Sequence, residues 1–433
     1  FSFSDIDSER KDRIMKFTST EATPAPHVPP GVLRLTGAAK EDIPMYRIQT
    51  MNKISPVGLN RFPSELYEVG DAVQDPQGIL VRSAKLLDLE FNPSLLAIAR
   101  AGVGVNNIPL DRCAAAGIPV FSTPGANANA VKELVICAML MGSRDIPGAI
   151  RWVREQAASG VDVSTVVEKG KSAFIGPELY KKTLGIIGLG AIGSIVANTA
   201  ISLGMDVYGY DPFLSVDTAL RLDRHVHVVK DINDLYKRSD YITMHIHYTE
   251  KTAHMIDADA IAAMKRGVRV INLARGEIVD DEAMLTALDT GMVAAYITDF
   301  PNNRLLTAPH VIAMPHLGAS TPESEQNCAA MAVDTLRDYL ESGNIRSSVN
   351  LPEMTMDRSG VQRLCVLHKN VPGMLANITS LFGRDGVNVE NLSNKSRGDY
   401  AYTMVDLGSK VGDNVIEDVR RTANVIRVRS LEW

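Results

Sequence analysis

The run Leu184-Gly-Ile-Ile-Gly-Leu-Gly-Ala-Ile-Gly193 carries the first chemical signal in this 433-residue chain. An apolar strand-like stretch feeds directly into G-x-G-x-x-G, the spacing with which a backbone can cradle a pyrophosphate. Gly188 permits the tight turn, Gly190 lets the main chain approach the phosphates, and Gly193 lets the following helix pack close. Ala191 and Ile192 then open a helix whose first N–H groups have no partner within it and face the anion. A second strand-like run, Asp206 to Tyr210, ends at Asp211, placed to accept hydrogen bonds from the adenosine ribose hydroxyls and to repel a 2′-phosphate. Pro212 and Phe213 follow, with no arginine at hand, so the expected cofactor is NAD rather than NADP.

Positioning such a site requires alternating strands and helices. Tyr46–Gln49, Ile79–Arg82, Leu96–Ala99 and Val120–Ser122 read as strands, and Ala130–Met141 as a long helix leading to a second alternating series from Thr183 to Pro315. Thr321 as N-cap and Pro322 at the first helical position start a further helix, with Ala329, Val333, Leu336 and Leu340 on one face. Such a helix could return the chain to the first domain. The stretch Val349–Gly360 is polar, and beyond it the pattern strand, helix, strand, strand, helix, strand is ferredoxin-like. The expected fold class is α/β: two Rossmann-like domains, for substrate (45–148 and 317–348) and for NAD (149–316), plus a C-terminal ferredoxin-like α+β domain (361–433). Residues 1–44, with Ala22 to Pro30 rich in proline, read as an extension or linker.

The 45 Lys and Arg stand against 51 Asp and Glu, a net charge of −6, so there is no basic field for nucleic acid or an anionic membrane. Cys113, Cys137, Cys328 and Cys365 lie far apart, which argues against a disulfide framework and a zinc site and for a reducing compartment. No apolar run approaches a membrane span, so a soluble protein is expected. The cytoplasm fits, and an organelle remains open because residue 1 is Phe, as in a processed form or fragment.

Four further segments, Ala101-Gly-Val-Gly-Val-Asn-Asn107, Ile271-Asn-Leu-Ala-Arg-Gly276, Asp299-Phe-Pro301 and Met314-Pro-His-Leu-Gly-Ala-Ser-Thr321, join the glycine fingerprint in an order that resembles the D-isomer-specific 2-hydroxyacid dehydrogenases, in particular members acting on 3-phosphoglycerate. The resemblance covers about Tyr46 to Trp433. It implies that Arg275 binds the substrate carboxylate, since a planar guanidinium suits it, and that His316 is the acid/base, since imidazole carries a proton in both directions near neutrality. It implies a carboxylate-holding loop at Gly102 and Val103, and a substrate-domain arginine at Arg82, beside Ser83. Asn127 and Lys132, at a helix start, are further substrate-binding candidates, and either Arg82 or Lys132 could take a phosphate. The resemblance fails at one point: the family usually has a Glu shortly after the segment matching Asp299-Phe-Pro301, and here Asn303 stands at or next to that position. An asparagine can orient an imidazole but supplies no negative charge. Asp299 could replace that partner, although its place in the motif suggests a cofactor contact or a structural role. His245 and His247 share a strand face with no further ligands nearby and read as structural, so no metal is expected.

Leu367-His-Lys-Asn-Val-Pro-Gly373 followed by Gly386-Val-Asn388 resembles the ACT regulatory domain. In that family the positions matching His368, Asn370 and Asn388 bind serine at a domain interface, which implies a serine effector and, through pairing of sheet edges, a homo-oligomer. The function implied is NAD-dependent oxidation of 3-phosphoglycerate to 3-phosphohydroxypyruvate, the first step of phosphorylated serine biosynthesis. The alternatives are a dehydrogenase of another small 2-hydroxy acid and a NAD-binding regulatory protein with weak catalysis.

Overall fold

The computed structural model describes residues 45–433; the extension expected over 1–44 lies outside them. β1 (Tyr46–Met51), β2 (Tyr67–Gly70), β3 (Gly78–Val81), β4 (Ala97–Arg100) and β5 (Val120–Phe121) form a parallel sheet in the order β2-β1-β3-β4-β5. All of β3 and most of β4 are buried, because a parallel sheet covered on both faces needs continuous apolar runs. The second sheet comprises β6 (Thr183–Ile187), β7 (Asp206–Tyr210), β8 (His227–Val229), β9 (Tyr241–Met244), β10 (Val268–Asn272), β11 (Val293–Thr298) and β12 (Val311–Ala313). Its order, β12-β11-β10-β9-β6-β7-β8, is parallel throughout and reverses direction between β6 and β9. Ligands of open α/β sheets bind outside the carboxyl ends of the strands at such a reversal.

Three helices tie the sheets together or start the cradle: α1 (Ala128–Arg144), α2 (Ala191–Ser202) and α3 (Pro322–Ser342). The expected boundary at residue 148 assigned α1 to the first domain, and the packing corrects it. Val131, Val135, Ala138 and Met139 are buried with Leu184, Ile271 and Ile297 of the second sheet, and Ser143 Oγ lies 2.7 Å from the Tyr241 hydroxyl. Thr321 caps α3 by accepting from the Ser324 N–H at 3.1 Å. The expected face of α3, Ala329, Val333, Leu336 and Leu340, is buried among Ile48, Leu80 and Ala97, so the chain does return to the first sheet. Truncating one of its leucines to alanine there costs about 2–5 kcal/mol.

The C-terminal unit runs β13 (Gln362–Lys369), α4 (Met374–Arg384), β14 (Val389–Arg397), β15 (Tyr400–Leu407), α5 (Asp413–Arg421) and β16 (Val425–Glu432), with antiparallel order β14-β15-β13-β16. This is the ferredoxin-like arrangement. Alternation along β13 divides its side chains: Leu364 and Val366 meet Ile378, Phe382 and Val419 of α4 and α5, whereas Cys365 and Leu367 join the core of the first domain beside Tyr339 and Leu340. The polar stretch expected between the domains is built into that interface. Leu351 and Met354 within it are buried, and Met354 bridges to Ile345. Arg363 and Asp406, both fully buried and paired at 2.6 Å, close the junction, with Arg363 also donating to the carbonyls of Ser342, Met356 and Asp357. A buried pair so fully hydrogen-bonded fixes one arrangement more than it adds net stability.

Candidate active site

The glycine turn between β6 and α2 has the geometry its sequence demands. Gly188 adopts φ +90°, and a Cβ there would lie 2.7 Å from the His245 carbonyl oxygen; a Cβ on Gly193 would lie 1.9 Å from the Gly188 carbonyl oxygen. At Gly190 a Cβ would meet nothing within 4 Å. That open face, at the start of a twelve-residue helix, fits a pyrophosphate against Gly190 and the N–H groups of Ala191, Ile192 and Gly193. Asp211, at the tip of β7, accepts from the Leu189 N–H and from the Phe213 N–H, each at 2.9 Å, so the carboxylate that would meet the ribose also holds the turn.

Among the described residues, Thr123 Oγ1, Asn127 Oδ1 and Asp299 Oδ1 are buried polar atoms without a hydrogen-bond partner. Such atoms are rare in native proteins and fit a polar ligand. The loop that carries Thr123 and Asn127 reaches α2, because a Cβ on Gly125 would stand 3.2 Å from that of Ala191. His245 is tucked under the glycine turn, its N–H donating to the Ile187 carbonyl at 2.7 Å, and burial pushes its imidazole down to about 4. Its ring Nε2 lies 3.2 Å from Thr243 Oγ1; His247 is exposed, and no cluster of metal-ligating side chains occurs among the described residues.

Arg275, Phe300 and His316 follow the carboxyl ends of the adjacent strands β10, β11 and β12. The Phe300 ring lies 4.6 Å from that of His316, and the Arg275 guanidinium stands 5.9 Å from the same Phe300 ring. One aromatic side chain therefore touches both the cation and the imidazole. Asp299 is buried, and desolvation raises its carboxyl above the ordinary carboxylate range, against the Gly318 N–H donated at 3.1 Å, nearby His316 and the Leu317 N–H.

The structure does not bring Asn303 to His316. Asn303 is exposed and makes no hydrogen bond to the imidazole, so its expected orienting role is corrected. The neighbouring Asn302 caps the turn instead, accepting from the Arg304 and Leu305 N–H groups and donating to Asp281 at 2.6 Å, while Arg304 pairs with Glu282. These contacts anchor the loop to the helix after Asp280.

On the first domain, Gly102 adopts φ +150° and its N–H donates to the Arg100 carbonyl at 2.9 Å. The donor expected from Gly102 is therefore engaged, whereas the Val103 N–H has no hydrogen-bond partner among the described residues. Sequence reasoning missed Arg100. A Cβ on Gly104 would lie 3.3 Å from Nη2 of Arg275 and 3.8 Å from Nη1 of Arg100, so two guanidinium groups converge on this loop. Burial holds the Arg100 guanidinium below its usual range, opposed by Cys328 and reinforced by the charges of Arg275 and Arg82. Its place at the carboxyl end of β4, directly before Ala101-Gly-Val-Gly, was the available signal. Arg82 lies close by, its carbonyl accepting from Arg100 Nε at 3.0 Å. The Ser83 N–H is held by Asn52 Oδ1 at 3.0 Å. Lys132 bonds along its own helix, to Asn129 Oδ1 at 2.5 Å, with Glu133 at 4.0 Å, and its side chain is only 21% exposed.

The three residues expected to hold an effector are not together. His368 is buried with both ring nitrogens engaged, 2.8 Å from the Lys369 carbonyl and 2.9 Å from Thr403 Oγ1. Asn370 bonds the carbonyl of Gly398 at one end of β15, whereas the Asn388 carbonyl accepts from Gly408 at the other. The eight residues of β15 separate them by about 25 Å.

Residues 136–318 match the family model described as D-isomer specific 2-hydroxyacid dehydrogenase, NAD binding domain. The chain is 36% identical over 326 residues to a D-3-phosphoglycerate dehydrogenase of Synechocystis sp., a match covering 73% of this chain and 56% of that protein. Thus it spans little more than half the length of that relative. A D-3-phosphoglycerate dehydrogenase of Haemophilus influenzae is 31% identical over 379 residues, covering 84% of this chain and 88% of the relative. A crystal structure of NAD+-bound 3-phosphoglycerate dehydrogenase from Entamoeba histolytica superposes with a TM-score of 0.55 at 25% identity, covering 71% of this chain and 99% of the other. The chain belongs to the D-isomer specific 2-hydroxyacid dehydrogenase family and carries its NAD-binding domain.

Proposed function

From that membership we propose that the protein oxidises 3-phosphoglycerate with NAD as acceptor, opening the phosphorylated route to serine. The observation that carries this reading is the contact of Phe300 with both His316 and Arg275, which gathers a proton acceptor and a carboxylate-binding cation at one spot. When bound, the nicotinamide supplies the hydride acceptor. The imidazole of His316 removes the hydroxyl proton as the carbinol hydrogen leaves as hydride, and returns the proton when the reaction runs backward. Arg275 and the Val103 N–H hold the carboxylate, while Arg100 and Arg82 bind the phosphate through charge-assisted hydrogen bonds. Asp299 supports the site from beneath, its unpartnered Oδ1 suited to an amide donor.

We assign the C-terminal unit the role of an ACT-type amino-acid sensor. With Asn370 and Asn388 at opposite ends of β15, a serine site that uses both needs a second copy of the chain. The exposed edge strand β14 is suited to pair with its counterpart, so the protein is proposed to be a homo-oligomer. No helix among the described residues is long and apolar enough to cross a membrane, and the cytoplasm or an organelle matrix is the proposed setting.

The missing contact between Asn303 and His316 favours one other reading, a NAD-binding regulator with weak chemistry. Turnover separates the two. NADH formation from 3-phosphoglycerate, with serine added in a parallel series, should be measurable in the parent and lost in His316→Ala. Arg100→Gln should raise KM about tenfold or more, the worth of a charge-assisted contact. NAD binding without turnover in either direction would leave the regulator.

A further inference from the structure

Arg82 stands just past β3, and its guanidinium pairs with the carboxylate of Glu325 in the first turn of α3. Both side chains are about half exposed, 46% and 44%. Among the described residues this is the one acidic partner in the arginine group, since neither Arg100 nor Arg275 has an ion pair. Three guanidinium groups thus meet one ion-paired carboxylate, with the buried Asp299 beneath the site. Glu325 does not arrive there on a free loop. The last turn of α3 is clamped by the C-terminal sheet, with Arg429 donating to the carbonyls of Tyr339 and Leu340 at 3.1 and 2.9 Å, and the Tyr402 hydroxyl donating to Gly343 at 2.7 Å. The helix that carries Glu325 is thus anchored at its far end by the C-terminal sheet.

We propose that Glu325 is a resident competitor for the distal anionic group of the ligand, occupying Arg82 until a dianion displaces it. A single carboxylate on the ligand would merely replace one monoanion by another and gain little. A phosphate-like group carries more charge and three acceptor oxygens, so it outcompetes the carboxylate and also engages Arg100. An exposed pair is weak enough to exchange readily. Glu325 therefore filters ligands by the charge at the end remote from the reacting carbon. This inference rests on the cleft being the hydroxy-acid site proposed above, and not on which hydroxy acid turns over.

The test uses sulfate as the dianion and acetate as the monoanion, followed by thermal-shift titration of the full chain. Glu325→Gln should lower the half-saturating sulfate concentration about two- to fivefold and narrow the preference for sulfate over acetate. The double variant Glu325→Gln with Arg82→Gln should lose that gain, and calorimetric NAD binding checks that each variant is folded. Half-saturation in Glu325→Gln that is unchanged or higher, or a gain that survives removal of Arg82, would overturn the proposal. A parent protein that fails to oxidise 3-phosphoglycerate would instead count against the proposed reaction and leave the sulfate result to decide this point.

Discussion

The ring of Phe300 rests against the imidazole of His316, with centroids 4.6 Å apart and planes inclined at 48°. No hydrogen bond to a neighbouring side chain holds that imidazole, so the aromatic contact is its orienting constraint among the described residues. The same ring carries the Arg275 guanidinium. Phe300→Leu keeps an apolar surface but loses the flat face, and misplacing a reacting group by about 1 Å costs up to about a hundredfold in rate. We expect kcat to fall about ten- to a hundredfold with a smaller change in KM. Steady-state kinetics that show a change in KM alone would place Phe300 in binding rather than in alignment.

Gly190 and Gly193 should fail in different ways. Gly193→Ala drives a methyl to 1.9 Å from the Gly188 carbonyl oxygen, so the turn itself must shift and stability should drop by about 1–3 kcal/mol. Gly190→Ala meets nothing in the protein, so the melting temperature should hold while NAD affinity falls at least about tenfold, roughly the 1.4 kcal/mol of one lost approach. Thermal melts and NAD titration of both variants distinguish a folding defect from a cradle defect. Equal NAD affinity in Gly190→Ala and the parent would refute the cradle.

Asn303→Ala should leave kcat within about twofold, as for an exposed residue away from any special contact. Asp299→Asn, beneath the site, should cost far more, because it replaces a buried carboxylate that the Gly318 N–H and His316 both face. Parallel pH-rate profiles of the two variants check the assignment. A large loss in Asn303→Ala would mean that its loop closes onto His316 when ligands bind.

Burial lowers the His245 imidazole to about 4, so over the interval from its ordinary 6.5 the unfolded chain takes up a proton that the folded chain refuses. The native state then binds fewer protons, and stability must fall as the pH falls. The contribution is intact above pH 6.5 and is lost as the pH drops through about 4; it is bounded by about 3 kcal/mol from the size of the shift. His245→Gln should flatten this part of the pH dependence. Urea unfolding at pH 7 and pH 4.5 measures it, and an identical slope in variant and parent would exclude His245 as the titrating group.

The local determinants of the cofactor site were legible in the sequence. The glycine spacing, the apolar run before it and the acid at Asp211 act over short chain distances, and steric and hydrogen-bonding rules for a strand-turn-helix permit few alternatives. The face of α3 and the βαββαβ pattern were legible for the same reason, since periodicity reports which side must be buried. The tertiary structure decided what depends on contacts between distant segments. Arg100, Phe300 and Glu325 belong to separate elements, and each meets its neighbour, Arg275, His316 or Arg82, only through the tertiary fold. Asn303, at or next to the expected position in sequence, is exposed on a loop that Asn302 and Arg304 tie to Asp281 and Glu282. The stretch 349–360, polar by composition, buries Leu351 and Met354 because the C-terminal sheet has a second apolar face to cover. Composition cannot reveal that demand, since an apolar side chain declares only that it will be buried, and the partner that buries it is settled by the whole fold.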